Sequence, residues 1–197
     1  MNLQCLRIKV FAEQFDFDPE VLIPIFHRWI QEKTLTETLL IDVADYRHVH
    51  NGPGVMLIGN DIHLGIDWAE GRPGLVYSFK RDKPGPASEK FDEVFAGALN
   101  ACQLLEKEAV FGGALRFRTD ELQVGVISRL LAPNSKAILD EFCPHLRAYG
   151  DRLFPGAELV IELLQPSPAP FAVTLRSGEP HSVSELLGRL GPSPSAS

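Results

Sequence analysis

The chain has 197 residues, 45% apolar and 23% charged, which is enough for an ordinary hydrophobic core and excludes a chain too polar to fold. With 26 acidic residues against 19 basic ones, the net charge of −7 argues against nucleic acid as a partner, because only a positive field displaces its counterions. The odd, widely spaced Cys5, Cys102 and Cys143 exclude a disulfide scaffold and fit a reducing, cytoplasmic compartment, while charges inside the first apolar run and the lack of a run of ~20 apolar residues argue against a leader peptide or a membrane partner.

In chain order, residues 3–12 alternate, with Leu6, Ile8 and Val10 on one side and Arg7 and Lys9 on the other. This predicts a strand with one dry and one wet face. Asp18-Pro19-Glu20 opens a helix with the stripe Leu22, Ile25, Phe26, Trp29 and Ile30, and Pro24 inside it implies a kink or a late start. From 37 to 81, apolar runs at 38–49, 55–59, 62–68 and 75–80 are separated by short turns, Asn51-Gly52-Pro53-Gly54, Asn60-Asp61 and Gly71-Arg72-Pro73-Gly74. Short connections force antiparallel neighbours, so this stretch predicts a four-stranded meander.

Asp82-Lys83-Pro84-Gly85-Pro86 reads as a linker, followed by a helix capped by Ser88 and ended by Gly112-Gly113. Runs at 115–118 and 122–131 predict a hairpin turning at Thr119-Asp120-Glu121. A helix disturbed by Pro144 follows Pro133-Asn134-Ser135, then strands at 158–164 and 171–176 and a last helix opened by the capping box Ser182–Glu185. Residues 191–197 read as a disordered tail.

The pattern predicts an α+β fold, a mainly antiparallel, meander-rich sheet with helices packed mostly on one face. It reads as a single globular domain over 1–190. Helix–strand–strand order recurs in both halves, which allows two similar α/β lobes, 1–83 and 84–190, although no residue-level repeat supports a duplication.

Residues 42–68 gather three of the six histidines with four aspartates, a Tyr and a Trp. A two-residue loop at Asn60-Asp61 sets Ile58 opposite His63 and Met56 opposite Gly65. Setting Val49 opposite Val55 places His48 against Met56 and brings Tyr46, His48, His63 and Asp67 onto one sheet face. Those four and His50 are the candidate catalytic residues, and His48, His63 and Asp67 are the candidate ligands of a divalent metal. His48 with Asp42 or Asp45 would be an acid–base pair. The ordinary role of such residues beside turns is to stay solvated or to tie down the loop. A second cluster, Arg116 and Arg118 with Arg129 on a paired strand, is a candidate anion site, to which Arg7 and Lys9 add if they share its wet face. The ordinary alternative is an exposed face balanced by nearby acids.

The chain has no phosphate-binding loop, dinucleotide fingerprint, nucleophile elbow or His-Glu-x-x-His pair, and no cofactor is predicted. The expected function is that of a cytoplasmic domain binding a small molecule or a protein partner, including a second copy of itself, without catalysis. The alternative is a metal-assisted or acid–base hydrolase or isomerase centred on 42–68.

Overall fold

The computed structural model describes residues 5–49, 53–81, 84–128, 132–164 and 170–191. Strand β1, Leu6–Gln14, follows the alternating pattern: Leu6, Ile8 and Val10 are fully buried. Asp18 caps a single 3-10 turn at Pro19–Val21, and helix α1, Leu22–Glu32, starts only after it. Pro24 therefore falls in the first turn of α1, where its missing N–H leaves no bond broken, and the helix starts late rather than kinking.

Strands β2 (Leu40–Asp45), β3 (Val55–Gly59), β4 (Ile62–Asp67) and β5 (Gly74–Phe79) form the antiparallel meander. After the 20-residue helix α2, Ala87–Glu106, comes β6, Arg116–Val126. Helix α3 (Lys136–Leu153), strands β7 (Val160–Leu163) and β8 (Phe171–Arg176) and helix α4 (Val183–Leu190) complete the chain. One eight-stranded sheet runs through both halves in the order β2-β3-β4-β5-β1-β6-β8-β7, with every neighbouring pair antiparallel.

The apolar phase of each central strand faces the same way. Leu64 and Ile66 of β4, Leu75 and Tyr77 of β5, Leu122 and Val124 of β6, and Val173 and Leu175 of β8 are buried together with Phe95, Leu99 and Cys102 of α2. The sheet is thus an α+β sheet covered by helices on one face. No described helix is long and apolar enough to cross a membrane.

Helix α2 is not capped by Ser88 but follows Pro86, and it ends at Glu106, before a separate 3-10 turn at Ala109–Phe111 that reaches Gly112. Two further expected features differ. The first is the hairpin at Thr119-Asp120-Glu121, which is instead the middle of the continuous strand β6. Each polar residue there has a partner that makes a turn unnecessary. Thr119 Oγ1 donates to His181 O at 2.6 Å and accepts from His181 N at 2.7 Å, Asp120 pairs with Arg118, and Glu121 pairs with Arg72. The second is the strand at 38–49, which ends at Asp45. There Asp45 Oδ1 accepts from the backbone N–H of Arg47 at 3.0 Å, and a turn from Tyr46 O to Val49 N follows. A side chain that satisfies the backbone locally competes with the ladder and ends it.

Candidate functional site

The face away from the helices is not flat. No helix covers it, yet Lys9 is 2%, Ser78 4% and Thr174 6% exposed. Polar side chains are sheltered there, and a cavity lies against them. The pairing registers define the rows of this concave face. One row runs His63, Ser78, Arg7, Gly125 and Ala172 across β4, β5, β1, β6 and β8, and the next runs Gly65, Val76, Lys9, Gln123 and Thr174. Gly125 brings no side chain to the floor beside Arg7, and none fits, because an added Cβ would lie 2.3 Å from the carbonyl of Phe171. A cleft of about 380 Å³ lies there, lined by these rows as far as Ala172 and Gln123, and by Met56, Pro53, Ile127 and Pro170.

Arg7, Lys9 and Asp67 form the charged wall. Arg7 Nη2 donates to Asp67 Oδ2 at 2.9 Å, and Lys9 Nζ approaches the same oxygen at 3.4 Å. Asp67 Oδ1 accepts from the backbone N–H of Ala69 at 2.7 Å, which fixes the carboxylate at the end of β4. Beyond Lys9, the ring of Phe11 is covered by the Arg72 guanidinium at 3.8 Å, and Arg72 pairs with Glu121 at 3.0 Å. Arg72 and the nearby guanidiniums hold the Glu121 carboxyl below the usual range, so it stays ionised as the anchor of this end.

His63, Ser78 and Gln123 are different. None of these three side chains makes a hydrogen bond among the described residues. Partial burial, helped by the positive charge of Lys80, pushes the His63 imidazole below its ordinary value. At neutral pH the ring is therefore uncharged, with one nitrogen to donate and one to accept. Polar groups projecting into a cleft without internal partners are what a ligand would satisfy.

The candidate residues of 42–68 divide. Ile58 does face His63 and Met56 does face Gly65, so His63 and Asp67 share the concave face. The second register differs: Asp45, not Val49, faces Val55, and Ala44, not His48, faces Met56. His48 and Tyr46 lie beyond the end of β2, exposed, and do not line the cleft. His50 lies outside the described residues, as does Arg129. Even His63 and Asp67 stand four residues apart on one strand, roughly 13 Å between Cα atoms. A shared ion at His48, His63 and Asp67 is therefore not the geometry, and among the described residues no three His, Cys, Asp or Glu side chains gather to hold a metal.

Nor does Asp45 serve His48. It is gripped by the Arg47 side chain through Nε and Nη2 and by the Arg47 backbone, which hold its carboxyl down to about 2. Arg116 and Arg118 are on β6 as expected, but Arg118 is taken up by Asp120 at 2.7 Å and Arg116 donates to its neighbour's carbonyl, Leu115 O. Arg118 is thus balanced by an acid, whereas Arg116 meets no carboxylate among the described residues.

Comparison with known proteins gives no relative. No family model matches the chain, and no curated protein or solved structure is significantly similar to it. The site therefore rests on its own geometry. The sequence pattern named Arg7 and Lys9 as a wet face and as additions to the Arg116 cluster, and passed over Ser78 and Gln123. Their signal was faint: each stands between two buried, largely apolar neighbours at the wet phase of its strand, Tyr77-Ser78-Phe79 and Leu122-Gln123-Val124.

Proposed function

We propose that the protein is a cytoplasmic binding domain that seats a small molecule in the concave cleft and performs no chemistry on it. The observation that carries this reading is the set of hydrogen-bonding groups without a partner among the described residues, His63, Ser78 and Gln123, held on three strands of one sheet around about 380 Å³ of space. Rigid strands hold such groups in place before a ligand arrives, which lowers the ordering cost of binding. The cysteines are odd in number and widely spaced along the chain, which fits a reducing compartment.

Protein-observed NMR against a diverse set of soluble metabolites tests the proposal. Binding compounds should shift the amide signals of Gly65, Ser78 and Gly125, and Val76→Trp, which fills the cleft, should abolish those shifts. Compounds that bind wild type and variant equally, or a set that shifts nothing in the cleft, would overturn it.

A specific observation also favours self-association. Leu39 and Ile41, 68% and 53% exposed, stand at the edge of the sheet beside and within β2. Sedimentation should show a dimer that Ile41→Lys weakens, and a strict wild-type monomer would remove this part.

A further inference from the structure

The arrangement inside the cleft narrows the chemical class of its ligand, an argument that rests on the small-molecule reading above. Three features bear on it. Arg7 uses only Nη2, toward Asp67, and its Nε and Nη1 make no hydrogen bond among the described residues. Nη2 carries two N–H groups, and its single bond to Asp67 takes one; the other lies parallel to a neighbouring N–H of Nη1 or Nε, and a carboxylate matches that remaining edge of the fork in two parallel bonds. Arg7 is also the more open cation, its side chain 35% exposed against 2% for Lys9, so a ligand can reach it.

Next to Arg7 in its row lie Ser78 on β5 and, beyond it, His63 on β4. A hydroxyl and a neutral imidazole add donors without adding charge. Asp67 is the one acid among the described residues that line the cleft, and its Oδ2 is already shared by two cations. An ammonium ligand would thus meet Arg7 and Lys9 before any free carboxylate.

The remaining surface is apolar. Met56, Val76, Ile127 and Pro170 line the space away from the charged wall. A ligand that satisfied only the polar groups would leave that surface wet, so the occupant needs an apolar body as well as its charged end.

We infer that the cleft binds an amphipathic monocarboxylate, with its carboxylate on the free donors of Arg7 beside Ser78 and its apolar body against Met56, Val76 and Ile127. A phosphate monoester fits less well, because a dianion calls for more cationic donors than Arg7 offers, with Lys9 turned to Asp67.

The test uses one rigid body with four ends: 2-naphthoate, 2-naphthamide, 2-naphthylmethylamine and 2-naphthyl phosphate, each titrated calorimetrically into the full chain. Naphthoate should bind at least about tenfold tighter than the amide, the size of one or two hydrogen bonds to a charged group. Arg7→Gln should erase that advantage, and Arg7→Lys, which keeps the charge without the fork, should restore part of it. Circular dichroism of both variants establishes that they are folded, and binding of naphthoate should also shift the His63 ring-proton resonances of the wild type.

Equal binding of all four probes, still blocked by Val76→Trp, would overturn the carboxylate while leaving the binding cleft standing. Tighter binding of the amine or of the phosphate would overturn it in sign or in class. If none of the four binds at millimolar concentration, the carboxylate inference falls, and an empty metabolite screen beside it would take the cleft reading down too.

Discussion

Arg7 and Asp67 belong to strands that are not neighbours, yet Nη2 of one lies 2.9 Å from Oδ2 of the other, across the intervening strand β5. The bond bridges three strands on the concave face, and the nearly buried Lys9 joins it at 3.4 Å. Asp67→Asn keeps an oxygen for the Ala69 N–H but turns an amide donor toward two cations. The expected cost is about 2 kcal/mol, in the range for hydrogen bonds to charged groups. Lys9→Met should cost less, because an apolar side chain of similar length replaces the buried charge instead of stranding it. Urea denaturation of the two variants checks the order, and a Lys9→Met loss larger than that of Asp67→Asn would contradict it.

The same bridge depends on Gly74. It faces Asp67 on one side and Phe11 on the other, and a Cβ there would lie 2.8 Å from Val10 O and 2.9 Å from Lys9 Cε. The carbonyl belongs to the ladder and has little room to yield. Gly74→Ala should therefore push Lys9 off Asp67 and destabilise the fold by roughly 1–3 kcal/mol, the usual cost of overpacking. The midpoint of thermal unfolding reads the loss, and an unchanged midpoint would show that the strands can part there.

Local signals carried much of the fold. The Asn60-Asp61 turn set the pairing of β3 with β4 in the register found, and the Ser182–Glu185 capping box starts α4 where expected. A hairpin register follows from its loop, and a capping box from four adjacent residues. Long-range order was not legible. Nothing local says that β1 lies between β5 and β6, which is what places Arg7 beside Ser78 and Lys9 beside Val76 and Gln123. The expected cluster around His48 failed because the longer β2–β3 connection left its register free, and Asp45 ended the strand by bonding Arg47. The spacing within β4 also carried a warning, since two residues four apart on a strand share a face but not an ion.

Thr119 offers a test of the strand that replaced the expected hairpin. Its hydroxyl, on a residue 1% exposed, bonds both the carbonyl and the N–H of His181, joining β6 to the segment that leads into α4. Thr119→Val keeps the shape and removes both bonds, leaving two sheltered backbone groups without that partner. The expected loss is about 2–4 kcal/mol. Hydrogen exchange should show the His181 amide and the first turn of α4 opening faster, while the amides of β4 stay protected. Uniform deprotection of the whole sheet would mean that Thr119 holds more than this junction.

The depressed titration of His63 sets a pH dependence with a definite sign. Burial, and then the charge of Lys80, lower its affinity for a proton in the folded chain, whereas in the unfolded chain it titrates near the ordinary value of about 6.5. Between those two values the unfolded form binds more protons, so stability falls as the pH drops below about 6.5 and levels off once the folded form is also protonated. His63→Gln removes the titration, so the stability gap between wild type and variant should shift against the wild type as pH falls from 7 to 5. Chemical denaturation across that range measures the gap, and a gap that stays constant would mean the imidazole is as well solvated in the cleft as in the unfolded chain.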